Sequence, residues 1–205
     1  MKKKLNIYAL STSSGKSSIS IIRISGPNAF LIANKFIKKQ PEIRKATTTR
    51  IIYNKILIDI GIVTYYSFKN SYTGEDLVEF NLHGSVAVIK KMLEILSIQK
   101  NTRLALPGEF TRRAFENKKL QLSQVEGIYN LIESETESQR KLSLKLLDGD
   151  LGKKVKLWKK KLINVLSILD ASIDFSEEDL PKSHLLEIQN EIKKLINHFK
   201  REIKG

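Results

Sequence analysis

The chain has 205 residues, 36 Lys and Arg against 22 Asp and Glu for a net charge of +14, no cysteine and only three histidines, His83, His184 and His198. This length can bury a core in one large domain or in a domain with a helical appendage, and the composition excludes disulfides, a cysteine nucleophile and thiolate metal ligands, leaving too few histidines to favour a zinc site. No apolar run approaches the roughly 20 residues of a membrane span, and Met1-Lys2-Lys3-Lys4 leads into a strand-like segment rather than a signal-peptide core, so no membrane partner and a cytoplasmic location are expected.

Taken in chain order, Leu5-Asn6-Ile7 and Ile19 to Ile24 read as strands, separated by Gly15-Lys16-Ser17-Ser18. That tetrapeptide imitates the end of a phosphate-binding loop but lacks the earlier glycine, which is Leu10 here, and a β-rich run follows where a helix is required. Gly26-Pro27 then predicts a helix start, with Phe30, Leu31, Ala33, Asn34, Phe36 and Ile37 along it. Residues 50 to 68 predict a strand pair turning near Asp59 and Gly61. A turn at Ser71-Tyr72-Thr73-Gly74, a strand from Leu77 to Leu82 and a helix from Val86 to Ile98 complete an α+β pattern.

Residues 107 to 127 are dense in charged and polar groups. Pro107-Gly108 breaks the apolar Leu104-Ala105-Leu106 segment, Arg112, Arg113, Lys118 and Lys119 follow, and Ser123 with Glu126 predicts a capping box opening the next helix. The stretch reads either as a solvated connector or as a site or interface. Beyond it the texture is helical. Val125, Ile128, Tyr129 and Ile132 share one face, and the stripes Val155, Trp158, Leu162, Val165, Leu169 and Leu185, Ile188, Ile192, Leu195, Phe199 are expected to pack antiparallel across a loop near Pro181. The last stripe runs almost to Gly205, so a further element is expected to follow or pack there.

The positive charge invites a nucleic-acid reading. Lysine nevertheless outnumbers arginine 28 to 8, as A/T-rich codon usage alone would produce, and the run Lys153, Lys154, Lys156, Lys159, Lys160, Lys161 reads as the solvated face of a helix. Asp174, Glu177, Glu178 and Asp179 read as acids at a helix boundary rather than as a cation site.

Two charges interrupt apolar strand runs: Arg23 among isoleucines, and Glu79 between Val78 and Phe80. Such charges need partners. They can pair with each other, or they can serve a ligand, since a carboxylate accepts two parallel hydrogen bonds from an amidine-like heterocycle edge and a guanidinium clamps a carboxylate in the same bidentate manner. A pterin with a glutamate tail offers both groups. His83-Gly84, between strand and helix, is either a turn cap or an acid, base or ligand contact.

Several blocks in fixed order resemble one family: Ile22-Arg23-Ile24-Ser25-Gly26-Pro27, Tyr72-Thr73-Gly74-Glu75-Asp76 with Glu79 and His83-Gly84, and Pro107-Gly108-Glu109-Phe110-Thr111. Arg113-Ala114-Phe115, Asn117, Lys119-Leu120, the Glu126 helix and Ile173-Asp174-Phe175 continue the match across nearly the whole chain. The sequence is similar to the MnmE (TrmE) family of tRNA-modifying GTPases. The resemblance implies a domain over residues 1–120 like that of folate-dependent aminomethyltransferases, a mixed sheet with helices that dimerises and binds formyl- or methylene-tetrahydrofolate, and a first part of a helical domain over residues 121–205. Motif matching carries the folate contacts onto Arg23, Glu79 and Lys119. It also implies an MnmG-type flavoprotein and tRNA as partners, with C5 of the wobble uridine as the modified position. The family's phosphate-binding loop and C-terminal cysteine motif are absent, so GTP, potassium and magnesium are expected only through a GTPase domain beginning about where this chain stops. Ser17, Ser18, Ser20 and Ser85 stand where the family carries glycines. Two alternatives remain open at this level: a stand-alone folate-dependent aminomethyltransferase, and a basic tRNA-binding scaffold without folate.

Overall fold

A computed structural model describes residues 5–174 and 182–204. Its contacts divide the chain into two compact units, Met1–Val125 and Glu126–Gly205. The first unit is α+β, as expected. Its strands are β1 (Asn6–Leu10), β2 (Ser17–Ser25), β3 (Thr47–Tyr53), β4 (Ile56–Tyr66), β5 (Leu77–Gly84) and β6 (Thr102–Leu104). They form one mixed sheet in the order β3-β4-β5-β2-β1-β6, antiparallel throughout except for the parallel pair β1 and β6.

The period-two alternation of strand side chains decides what each face carries. Ile22 and Ile24, Val63 and Tyr65, and Val78, Phe80 and Leu82 are buried on one face. They form a single core with Ile32 and Ala33 of α1 (Ala29–Ala33) and with Met92, Ile95 and Leu96 of α2 (Val86–Ser97). Arg23, Thr64, Glu79 and Asn81 therefore belong to the opposite face.

Three local expectations are corrected. The helix expected after Gly26-Pro27 ends at Ala33 instead of continuing through Ile37, because the surrounding sheet captures its groups: the Phe36 carbonyl accepts from Ile52 N at 2.7 Å, and Asn34 Oδ1 accepts from the Tyr65 hydroxyl at 2.9 Å. Phe36 and Ile37 are buried just beyond it. The β3–β4 hairpin turns at Asn54-Lys55, both at positive φ (49° and 66°), as a two-residue turn of the primed type needs. Asp59 and Gly61 lie within β4, where Gly61 permits close strand approach, since a Cβ there would meet the Asn81 carbonyl oxygen at 2.4 Å. Finally, α4 (Leu122–Ile132) begins before Ser123, so Ser123 is not its cap; the Gln124 side chain instead accepts from Gln121 N at 3.0 Å.

In the second unit, α5 (Glu137–Leu147) opens on a complete capping box between Thr136 and Gln139. Next come α6 (Asp150–Asp174) and α7 (Lys182–Lys204), which run antiparallel as expected: Lys154 pairs with Glu202, and the Trp158 ring lies 4.4 Å from the Phe199 ring. Their seam is narrower than the two stripes predicted. Val165, Ile188 and Leu195 are buried, whereas Val155, Leu162 and Ile192 are exposed. Lys156, Lys159 and Lys160 are also exposed, consistent with a solvated face. Pro181, Glu177, Glu178 and Asp179, with the side chains of Asp174 and His184, lie outside the described residues.

Candidate functional site

The β2–β5 register places Arg23 directly opposite Glu79, with Thr64 of β4 opposite Glu79 on its other side. The two charges left open to pair with each other do so: Arg23 donates from Nε at 2.9 Å and from Nη2 at 2.6 Å, both to Oε1 of Glu79. Their side chains are 24 % and 18 % exposed, so the pair is sheltered yet reachable. Aromatic rings frame it. The Arg23 guanidinium lies 5.6 Å from the Tyr72 ring centroid and 5.5 Å from that of Phe110, within cation–π range. Tyr72 and Thr111 share a hydroxyl hydrogen bond of 2.8 Å, which ties the β4–β5 loop to α3 (Glu109–Glu116). On β4, burial, the neighbouring Glu79 charge and a hydrogen bond from the Tyr66 hydroxyl to the Glu79 carboxylate push the Tyr66 phenol above its ordinary pKa, with Arg23 opposing. Tyr66 escaped the sequence reading because nothing local marks a tyrosine diagonal to a strand glutamate.

Lys119 follows α3 through a left-handed residue, Lys118 (φ 59°), and Lys119 N donates to the Ala114 carbonyl at 2.8 Å. Lys118 is exposed, as expected. The Lys119 ammonium donates to the Lys69 carbonyl. Its stem runs past Gly74 (φ 72°), where a Cβ would meet Asn117 Cβ at 2.8 Å and Lys119 Cγ at 3.3 Å. Asn117 in turn donates to the Thr73 carbonyl at 2.6 Å. The β4–β5 loop thus touches Arg23 through Tyr72 and holds Lys119 through Lys69 and Gly74, while Glu79 follows on β5.

Beside this lies a buried polar network that the sequence reading did not separate from the site. Arg113 donates to Glu75 at 2.8 Å and to Glu109 at 3.1 Å, and Arg103 grips both oxygens of Glu109 at 2.7 Å each. Ser25 joins through Glu75 and Thr73. The Arg103 guanidinium, aided by the Leu106 backbone N–H and Arg113 against the cost of burial, lowers the Glu109 pKa to about 2. Of the four cations singled out in residues 107–127, Arg113 is therefore buried scaffolding and Arg112 pairs on the surface with Glu116. The i, i+4 spacing of Glu109 and Arg113 was the available signal.

His83 is a strand residue, not a turn cap: β5 continues through Gly84. Asp59 accepts from its backbone N at 2.8 Å and bonds its Nδ1 at 2.8 Å, fixing an otherwise exposed ring. Gly15-Lys16 runs directly into β2, so the fragment resembling a phosphate-binding loop lacks the following helix, as its sequence indicated. Among the described residues no group of three or more His, Cys, Asp or Glu could hold a metal ion, and no helix is long and apolar enough to cross a membrane.

Residues 6–119 match the family described as GTP-binding protein TrmE N-terminus. The chain belongs to the MnmE (TrmE) family. Residues 122–205 match the MnmE helical domain. Among its relatives named tRNA modification GTPase MnmE, that of Roseobacter denitrificans is 41 % identical over 201 residues, covering 97 % of this chain and 47 % of the relative. Those of Pelagibacter ubique and of Wolbachia sp. subsp. Drosophila simulans are 43 % and 45 % identical, covering 98 % and 93 % of this chain and 45 % and 43 % of themselves. This chain thus spans about half the length of the curated MnmE relatives it matches.

Proposed function

We propose that this chain supplies the folate-binding and dimer-forming region of an MnmE-type tRNA-modification GTPase and contributes to carboxymethylaminomethyl-type modification at C5 of the tRNA wobble uridine. Residues 1–120 bind a formyl- or methylene-tetrahydrofolate and form the homodimer contact, and residues 121–205 begin the helical domain. The partners in this reading are tRNA and an MnmG-type flavoprotein in the cytoplasm, with GTP, potassium and magnesium handled by the GTPase domain of the whole protein.

The observation that carries the reading is the Arg23–Glu79 pair on the sheet face opposite the core. Both Arg23 bonds go to Oε1 of Glu79, so Oε2 receives neither of them. That donor set fits a reduced pterin: a carboxylate can accept N–H bonds from the heterocycle's amidine-like edge, with aromatic rings close by. Because Arg23 is bonded to Glu79, it acts at the same end of the ligand as Glu79, not at a distant glutamate tail. Lys119 is the separate cation for an anionic part. The bound folate supplies the one-carbon unit; Glu79 orients it, and Arg23 and Lys119 hold charge.

Calorimetric titration of the purified chain with 5-formyltetrahydrofolate tests this. Saturable binding weakened roughly tenfold or more by Glu79→Ala is expected, as for loss of a charged hydrogen-bond acceptor. Absence of saturable binding, or binding indifferent to Glu79→Ala, removes the assignment.

A further inference from the structure

The way Arg23 meets Glu79 is unusual for an arginine with free choice. A guanidinium and a carboxylate commonly form a fork, two parallel N–H bonds to two oxygens. Here Nε and Nη2 converge on the single oxygen Oε1, at 2.9 and 2.6 Å. Two rings from different elements stand near the guanidinium: Tyr72 from the β4–β5 loop at 5.6 Å and Phe110 from α3 at 5.5 Å. Tyr72 is itself fastened through its hydroxyl to Thr111 at 2.8 Å, so both rings are referenced to α3. Behind them Arg113 and Arg103 hold Glu109, the first residue of α3, to Glu75 and to the start of the helix, so the mounting is stiff.

We propose that Tyr72 and Phe110 are positioning residues that hold the Arg23 guanidinium on one oxygen of Glu79, so that the other oxygen stays clear of Arg23 and, even with the Tyr66 hydroxyl bonded to the carboxylate, keeps a lone pair for an N–H donor of a flat nitrogen heterocycle. This rests on the folate reading of the same site and names what makes it selective. Cation–π attraction holds the guanidinium against the rings and opposes its swing into the fork. With the rings gone, Arg23 closes the fork on both oxygens, and a ligand has to displace one of its bonds. Affinity then falls selectively for ligands that use that oxygen. Neither ring accepts a proton or reacts; each acts through Arg23.

The test compares two probes, 5-formyltetrahydrofolate and its 2-deamino analogue, which lacks one N–H donor of the pterin edge. They are titrated against the unaltered chain and against Tyr72→Leu, Phe110→Leu and Tyr72→Phe, with thermal melting to follow the fold. The two leucine variants are expected to lose roughly tenfold in affinity for 5-formyltetrahydrofolate and to bind the analogue almost as before, so that the preference for the amino group collapses. Tyr72→Phe keeps the ring and is expected to stay within about threefold. Equal losses for both probes, an unchanged preference, or failure of Tyr72→Phe to rescue would overturn the proposal. If one leucine variant fails to fold, the other, at a ring mounted on a different element, still decides. Failure of the unaltered chain to bind 5-formyltetrahydrofolate at all defeats the underlying reading instead, and is distinguishable for that reason.

Discussion

Replacing Glu109 by Gln removes one acid from the buried network while keeping its shape. In the native chain Glu109 accepts both Arg103 bonds at 2.7 Å, one from Arg113 at 3.1 Å and one from Leu106 N at 2.8 Å. Its pKa falls from 4.5 to about 2, with Arg103 the largest cause. At about 1.4 kcal/mol per unit the shift corresponds to some 3 kcal/mol of favourable interaction with the ionised form. Arg103 is 40 % exposed, so solvent screens part of this and about 2 kcal/mol is expected from the variant at neutral pH. The sign follows from linkage. A carboxylate with a depressed native pKa contributes its full stabilisation above the unfolded value and loses it as pH falls toward the native one, here between about 4.5 and about 2. Urea unfolding followed by far-UV circular dichroism measures this; fluorescence does not, because the sole tryptophan, Trp158, lies on α6 and reports the helices. The native chain should lose stability relative to Glu109→Gln across that window and approach it at the acid end. Equal stability of the two proteins at neutral pH, or parallel pH profiles below 4.5, would refute the reasoning.

Two further outcomes are expected. Lys55→Gly relieves a non-glycine residue at φ 66° in the β3–β4 turn and should stabilise the sheet by about 0.5–1 kcal/mol, read as a higher urea midpoint in the same experiment. Thr136→Ala removes the capping-box acceptor of Gln139 N and should destabilise the helical unit by about 1 kcal/mol, visible as an earlier Trp158 fluorescence transition.

The parts legible in the sequence were those set by local period. Arg23 among isoleucines and Glu79 beside Val78 and Phe80 already implied two charges on a face opposite a core, and the α+β order followed from the run of strands and helices. Positions governed by competition across the sheet were not legible. Nothing within residues 26–37 announces that the Phe36 carbonyl will serve Ile52, and Asp59-Gly61 looks like a turn until Asn81 is seen pressed against Gly61. The burial of Arg113 was only half legible: Glu109 lies four residues before it, but its other partner, Glu75, is 38 positions away. The expectation of folate contact at Arg23, Glu79 and Lys119 came from motif resemblance, not from period; the geometry adds the aromatic frame and Tyr66 beside the first two.

The parallel pairing of β6 with β1 also bears on how the chain is made. Asn6 at the start of β1 reaches Asn101 by both its backbone N at 2.9 Å and its side chain at 3.0 Å, a separation of 95 positions. As synthesis proceeds from the N-terminus, β1 can pair with β2 early, but its outer edge stays bare until the far partner has left the ribosome. Closure across so long a loop is slow, and an unpaired edge invites association with other nascent chains. A pause in translation once residue 104 has cleared the ribosome would give this seam time to close before the helices emerge.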